Sequence, residues 1–101
     1  MNKKTLKRLR KELEELRRNF APQSHATLAE YASAVGRKIE NRGKEPTWIK
    51  KTDPSLSPPL SIPNHSKDIK AGTARSIIDQ LLADLDEWDM YLTTQEDKDE
   101  D

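Results

Sequence analysis

The sequence predicts an α+β fold: a small three-stranded antiparallel sheet packed against helices, preceded by one further amphipathic helix. Three observations predict it. Leucine and isoleucine recur at helical spacing near both ends of the chain, a capping pattern and a glycine bracket a short helix after the first of these, and the middle alternates apolar residues with turn residues. The expected order is helix, helix, strand, strand, strand, helix, with helices covering one side of the sheet. At 101 residues there is room for one domain, and with 33% hydrophobic against 36% charged residues its core must be small.

In the first helix Leu6, Leu9, Leu13, Leu16 and Phe20 are spaced 3, 4, 3 and 4, which makes one narrow apolar seam. Glu12 and Glu15 stand three or four residues from Arg8, Lys11 and Arg18, adding small helix-favouring pairs. So short a seam is marginal alone and must pack on something. Pro22 ends it, giving a segment 1–20. A second helix is expected from Thr27, which with Glu30 three residues on forms a capping box. Leu28, Tyr31, Ala32 and Val35 are its apolar side and Gly36 its stop.

RKIEN, the turn RGK and TWIKK then read as a hairpin with Ile39, Trp48 and Ile49 buried. TDPSLSPP reads as a loop because of Pro54, Pro58 and Pro59, and LSI as a third strand closed by Pro63. The last helix should start at Thr73 as N-cap and bury Ile77, Ile78, Leu81, Leu82, Leu85, Trp88 and Leu92. The acidic stretch 93–101, TTQEDKDED, is expected to be a disordered tail.

A net charge of zero hides an asymmetry: residues 1–78 carry 17 Lys/Arg against 8 Asp/Glu, and residues 79–101 carry 1 against 10. Such a basic body suits nucleic acid, while the same pattern also serves as an internal electrostatic match. The absence of cysteine excludes disulfides, thiolate metal sites and a cysteine nucleophile. No metal-ligand spacing, glycine-rich phosphate loop or serine-nucleophile motif occurs, so no metal and no cofactor are expected. No apolar run is long enough to span a bilayer or to serve as a signal peptide, which leads to the expectation of a cytoplasmic protein with no membrane partner.

The stretch LSIPNHSKDIKAGTARSIIDQL resembles the HicA family of toxins, whose hallmark is an apolar strand ending in Pro-x-His, a short polar stretch, and Gly-Thr-x-x-Ile opening the final helix. Pro63, His65, Lys67, Ile69, Gly72, Thr73, Arg75, Ile77 and Ile78 occupy those places. The resemblance covers about residues 27–85, within a HicA-like domain drawn at 27–92. It implies an α-β-β-β-α arrangement like that of double-stranded-RNA-binding domains, a metal-independent endoribonuclease acting on messenger RNA, and a HicB-type antitoxin as protein partner. Where the family carries Gly-Ser-His between the first two strands, this chain reads RGKEPTW: Gly43 is kept, but Lys44, Glu45, Pro46 and Thr47 supply no imidazole.

Metal-free RNA cleavage needs a base for the ribose 2′-hydroxyl, an acid for the leaving oxygen, and cations for the charge that builds on phosphorus. His25 reads as a surface residue at a helix entrance. His65 is the candidate proton-transfer group, or else a residue that fixes its loop, and Glu45 is a replacement base if the turn folds toward it. Lys67, Lys70 and Arg75 flank the amides of the last helix start, an anion site. Lys38, Arg42, Lys44, Lys50 and Lys51 would form a basic rim on the hairpin, giving salt-sensitive phosphate contacts. Trp48 is either core or a base-stacking platform.

Two functions follow as expectations. One is a HicA-like RNA-binding protein with nuclease activity through His65. The other is a catalytically inactive interaction module that self-associates through the leucine seam of the N-terminal helix. An acidic tail folded back over the basic rim is a further expectation.

Overall fold

The computed structural model describes residues 1–42, 45–64 and 67–99; Gly43, Lys44 and His65 lie outside them, and for Arg42 and Glu45 only the backbone is described. The elements are α1 (Lys3–Arg18), α2 (His25–Ala34), β1 (Lys38–Arg42), β2 (Glu45–Lys50), β3 (Leu56–Ser61) and α3 (Ala71–Asp99). The sheet is antiparallel in the order β1-β2-β3, so the α+β class and its element order hold.

Helix α1 opens on Asn2, whose side chain accepts the Thr5 amide at 2.8 Å, and closes with Arg17 and Arg18 in the last turn, where cations offset the helix dipole. Leu6, Leu9 and Leu13 face α3 and belong to one core with Leu28, Val35, Leu60, Ile62, Ile78, Leu81 and Leu85. The seam is thus covered within the chain. Phe20 is not part of it: the helix ends at Asn19, Phe20 takes φ 30, and its ring is 55% exposed. The 3–4 spacing ran one step past the point where the backbone leaves the helix.

The two long helices run antiparallel, and the α1 cations that bridge them recur every seven residues. Lys3 reaches Asp89 and Thr93, Arg10 reaches Asp86, and Arg17 reaches Asp79. Taken as Thr93, Asp86 and Asp79, the partners step by one heptad along each helix in opposite directions, the register of an antiparallel coiled coil, with Asp89 as a second partner of Lys3. Part of the charge asymmetry is therefore matched internally, basic α1 against acidic α3. These pairs are exposed, so each is worth at most about 1 kcal/mol and serves to fix register.

Helix α2 starts three residues earlier than the capping box suggested. Ser24 is the N-cap, accepting the Thr27 amide at 3.1 Å, and Thr27 sits inside the first turn with its hydroxyl on Ser24 Oγ. The helix ends as expected at Gly36, whose φ of +94 suits glycine. Gly36 N–H donates to Ser33 O and Arg37 N–H to Ala32 O, the two bonds of a Schellman motif.

Two strand expectations change. Strand β3 begins at Leu56 and contains Pro58 and Pro59, which sequence reasoning assigned to a loop. It is an edge strand with a bulge against β2 between Trp48 and Lys50, and both prolines are exposed there, where a missing N–H is tolerated. Ile39 is 51% exposed rather than buried. It shares the inner face with its partner Trp48 and with Leu60, but β1 is the strand farthest from β3, on which α3 packs. Alternation gave the face correctly, while burial depends on what covers it.

Helix α3 begins at Ala71, not Thr73, since Ala74 N–H already bonds Lys70 O at 2.8 Å. It continues without a break through Asp99, so residues 93–99 of the expected disordered tail are helical. At 29 residues it is about 43 Å long, which carries this acidic end away from the helix start rather than back over it.

The seam, not the ion pairs, should dominate stability. Leu13→Ala, at a fully buried position, should cost about 2–5 kcal/mol in urea unfolding. Arg10→Ala should cost no more than about 1 kcal/mol. Similar losses from both would reverse that ranking.

Candidate functional site

Sheet register decides which candidate residues meet. Arg42 partners Glu45 at one end of the β1–β2 pair, and Ser61 partners Thr47. Ile62 N–H then donates to Pro46 O at 3.3 Å. The C-terminal end of β3 therefore lies at the same end of the sheet as residues 42 and 45. From there the chain runs through Pro63 and Lys67 to the start of α3.

Two backbone bonds tie this connection down. Gln23 N–H donates to Ile69 O at 3.0 Å and Ile69 N–H to Gln23 O at 2.7 Å, an isolated antiparallel bridge. Gln23 is one residue before the N-cap of α2, and Ile69 is two before α3. Both helices thus begin at one corner. His25, the first residue of α2, has Nδ1 2.9 Å from Pro63 O. It is half-buried and pins the connecting segment, a structural role where the sequence showed only a helix entrance.

At this corner Lys67, Lys70 and Arg75 are exposed. Lys70 stands where an N-cap would, and its side chain offers no acceptor to the first-turn amides. No acidic residue occupies that turn, so the field of the helix start favours an anion. The Arg75 guanidinium lies over the exposed Phe20 ring, 5.6 Å from its centroid. An exposed aromatic under a guanidinium at a cationic corner is a feature sequence reasoning missed, because Phe20 fitted the leucine spacing too well. A signal was present: Pro22 two residues later restricts the backbone before it.

Lys38, Lys50 and Lys51 do not join this corner. Lys38 partners Ile49 at the opposite end of the hairpin from Arg42, four residues or about 13 Å away along the strand. Lys51 is exposed beyond that same far end. Lys50 is engaged within the chain, donating to Thr52 O at 2.9 Å and Pro54 O at 3.0 Å, with its ammonium 4.9 Å from the Trp88 ring centroid. Burial pulls its pKa below the ordinary lysine value, against a smaller opposing pull from Asp53. The single basic rim expected on the hairpin is thus divided between two ends.

Trp48 packs on the core, which favours its structural role over base stacking. Behind it lies the feature with no sequence-based forecast. Arg37 is 2% and Asp84 1% exposed. Arg37 Nε donates to Asp84 Oδ2 at 2.7 Å and Nη2 to Asp84 Oδ1 at 2.9 Å, a two-pronged pair. Arg37 Nη1 donates to Trp48 O at 2.8 Å on β2 and to Pro58 O at 3.1 Å on β3. Gln80 Nε2 reaches Asp84 Oδ1 and Ser57 O, both at 3.2 Å. This network spans the bulge where Pro58 and Pro59 bring no amide hydrogen. Four of the five guanidinium N–H groups have acceptors and both charged side chains are buried, so its chemistry is structural.

Among the described residues no group of His, Cys, Asp and Glu is arranged to hold a metal ion, and no helix is long and apolar enough to cross a membrane. No family model, curated protein or solved structure matches the chain.

Gly36 joins α2, β2 and α3 at close quarters. A Cβ there would stand 2.9 Å from Lys50 Cε and 3.7 Å from Trp88 Cζ2. Gly36→Ala adds the left-handed backbone cost, so on the order of 1–2 kcal/mol should be lost in urea unfolding. An unchanged or raised midpoint would contradict this placement.

Proposed function

We propose that this chain is a HicA-like RNA-binding protein whose interface is the corner where α2 and α3 begin. The observation that carries the proposal is the grouping of Lys67, Lys70 and Arg75 around the single acid Asp68 at an α3 start whose first turn carries no acidic residue, with Phe20 exposed beneath Arg75. Cations and first-turn amides suit phosphate oxygens, and an exposed ring suits an unstacked base. The order α2-β1-β2-β3-α3 agrees with the α-β-β-β-α order that the resemblance implies. A cytoplasmic site of action and a HicB-type antitoxin partner belong to the same proposal.

Cleavage would follow from residues of the Pro-x-His segment. The ribose 2′-oxygen attacks phosphorus as its proton passes to a base, the P–O5′ bond breaks, and the departing oxygen takes up a proton. His65 is the proposed proton-transfer group, with Lys67, Lys70 and Arg75 stabilising the phosphorane-like charge. Since Lys44 and Glu45 stand where the family carries its turn histidine, His65 has no second imidazole to share the work. Slow cleavage is the corresponding expectation.

The alternative of an interaction module built on the leucine seam loses its surface, since Leu6, Leu9 and Leu13 are covered by α3 of the same chain.

In a gel shift with labelled single-stranded RNA, Lys70→Ala with Arg75→Ala should weaken binding and lower the salt slope by about 0.7 per lost phosphate contact. Lys38→Ala with Lys51→Ala should leave both unchanged, and equal losses from the two pairs would move the interface elsewhere. Incubating RNA with the parent chain and with His65→Ala tests catalysis. Cleavage lost in the variant supports His65, whereas equal cleavage, or none by either protein, removes it.

A further inference from the structure

The outer edge of β1 has a geometry that selects its own partner. Among the described residues no strand pairs with that edge. Backbone polarity there follows from the sheet. Pro46 O accepts from Ile62 N–H, so residues 46 and 48 of β2 aim their main-chain groups at β3, while Thr47 and Ile49 aim theirs at β1. Their partners Glu40 and Lys38 therefore point at β2. Ile39 and Asn41 are left pointing outward, and the N–H and C=O of Ile39 form a hydrogen-bonding pair on the open edge.

We propose that β1 pairs antiparallel with β1 of a second copy about a two-fold axis at Ile39, joining two three-stranded sheets into one of six strands. Three features fit that register. Ile39 donates to and accepts from Ile39 of the other copy, the closed pair of an antiparallel ladder. Lys38 stands opposite Glu40 of the other copy and Glu40 opposite its Lys38, so both cross-strand charge pairs are of unlike sign. On the inner face, Leu60, Trp48 and Ile39 lie in one cross-strand row. The axis continues that row from Ile39 into Ile39, Trp48 and Leu60 of the second copy, covering a side chain now 51% exposed.

Neighbouring registers are worse. An axis at Glu40 sets the two Glu40 side chains against each other. An axis at Lys38 does the same with the lysines and sets Ile39 opposite Arg37, whose N–H is already bonded to Ala32 O. The surface is isologous, which gives a closed dimer rather than an open filament. The leucine seam is already covered by α3 of the same chain, so this association does not use it.

The test uses sedimentation velocity of the full chain over a concentration series. A dimer is expected. Lys38→Glu, which makes both cross-strand pairs like-charged, should raise its dissociation constant by roughly tenfold. Lys38→Glu combined with Glu40→Lys restores unlike pairs and should recover the parent value. A covalent readout fixes the register, since the chain contains no cysteine. Ile39→Cys places the two sulfurs on residues whose Cα atoms stand about 5.5 Å apart, within disulfide range. Mild oxidation should crosslink it faster than Lys38→Cys or Glu40→Cys. A chain that stays monomeric at every concentration overturns the proposal. So does a dimer indifferent to the charge exchange, or one crosslinked fastest at residue 38 or 40.

Discussion

Arg37 is held on one side by Asp84 of α3 and on the other by carbonyls of β2 and β3, so a single guanidinium joins the helical layer to the sheet. Burying these two charges costs several kcal/mol each, and only near-complete hydrogen bonding offsets that. The planar fork supplies it, with Nε and Nη2 matching both carboxylate oxygens while Nη1 spans the bulge. Lysine could not, having one nitrogen and no fork. The bulge and the arginine depend on each other. Pro58 and Pro59 can stay in β3 because a side chain provides a donor where the ladder has none, and Arg37 can stay buried because the bulge leaves carbonyls for it. The Schellman turn sets its position, for Gly36 lets the chain reverse and the next residue is already committed by its amide to Ala32.

Around this joint the remaining charges are sorted by where they find partners. The acids of α3 at positions 79, 86 and 89 face the cations of α1, so part of the overall asymmetry cancels inside the molecule. Lys50 is taken up by Thr52, Pro54 and the Trp88 ring. Positive charge at the start of α3 remains exposed, beside an aromatic ring that α1 leaves outside its seam. Function is thus proposed at the place where internal neutralisation stops, rather than along the hairpin where basic residues are merely numerous in sequence.

Much of this was legible in the chain. The leucine spacing of α1, the Gly36 stop and the isoleucine-leucine stripe of α3 report strong local periodicities, and tertiary packing reinforced them. Features that depend on what lies opposite were not legible. Ile39 has the right parity and no cover; Pro58 and Pro59 occupy an edge strand because another residue donates across it. The α3 cap position shifted by three residues, from Thr73 to Lys70, next to Ile69, which pairs with Gln23, a contact between segments far apart in sequence. Asp84 left a trace: it falls between Leu81 and Leu85 and four residues before Trp88, on the apolar stripe, where an acid calls for a buried cation. Nothing local identified Arg37 as that cation. Of the candidate site, the cationic helix start could be read, Phe20 was hidden by its fit to the leucine spacing despite Pro22 nearby, and His65 lies outside the described residues.

The central claim is that the Arg37–Asp84 pair couples helices to sheet, and a double-mutant cycle in urea unfolding measures it directly. Arg37→Met and Asp84→Leu should each lose about 3–5 kcal/mol, because each strands a buried charge. The double variant should lose less than the two losses added together, with a coupling of about 2 kcal/mol or more. Single losses under about 0.5 kcal/mol, or losses that simply add, would mean that the sheet and the helices are held together by something else.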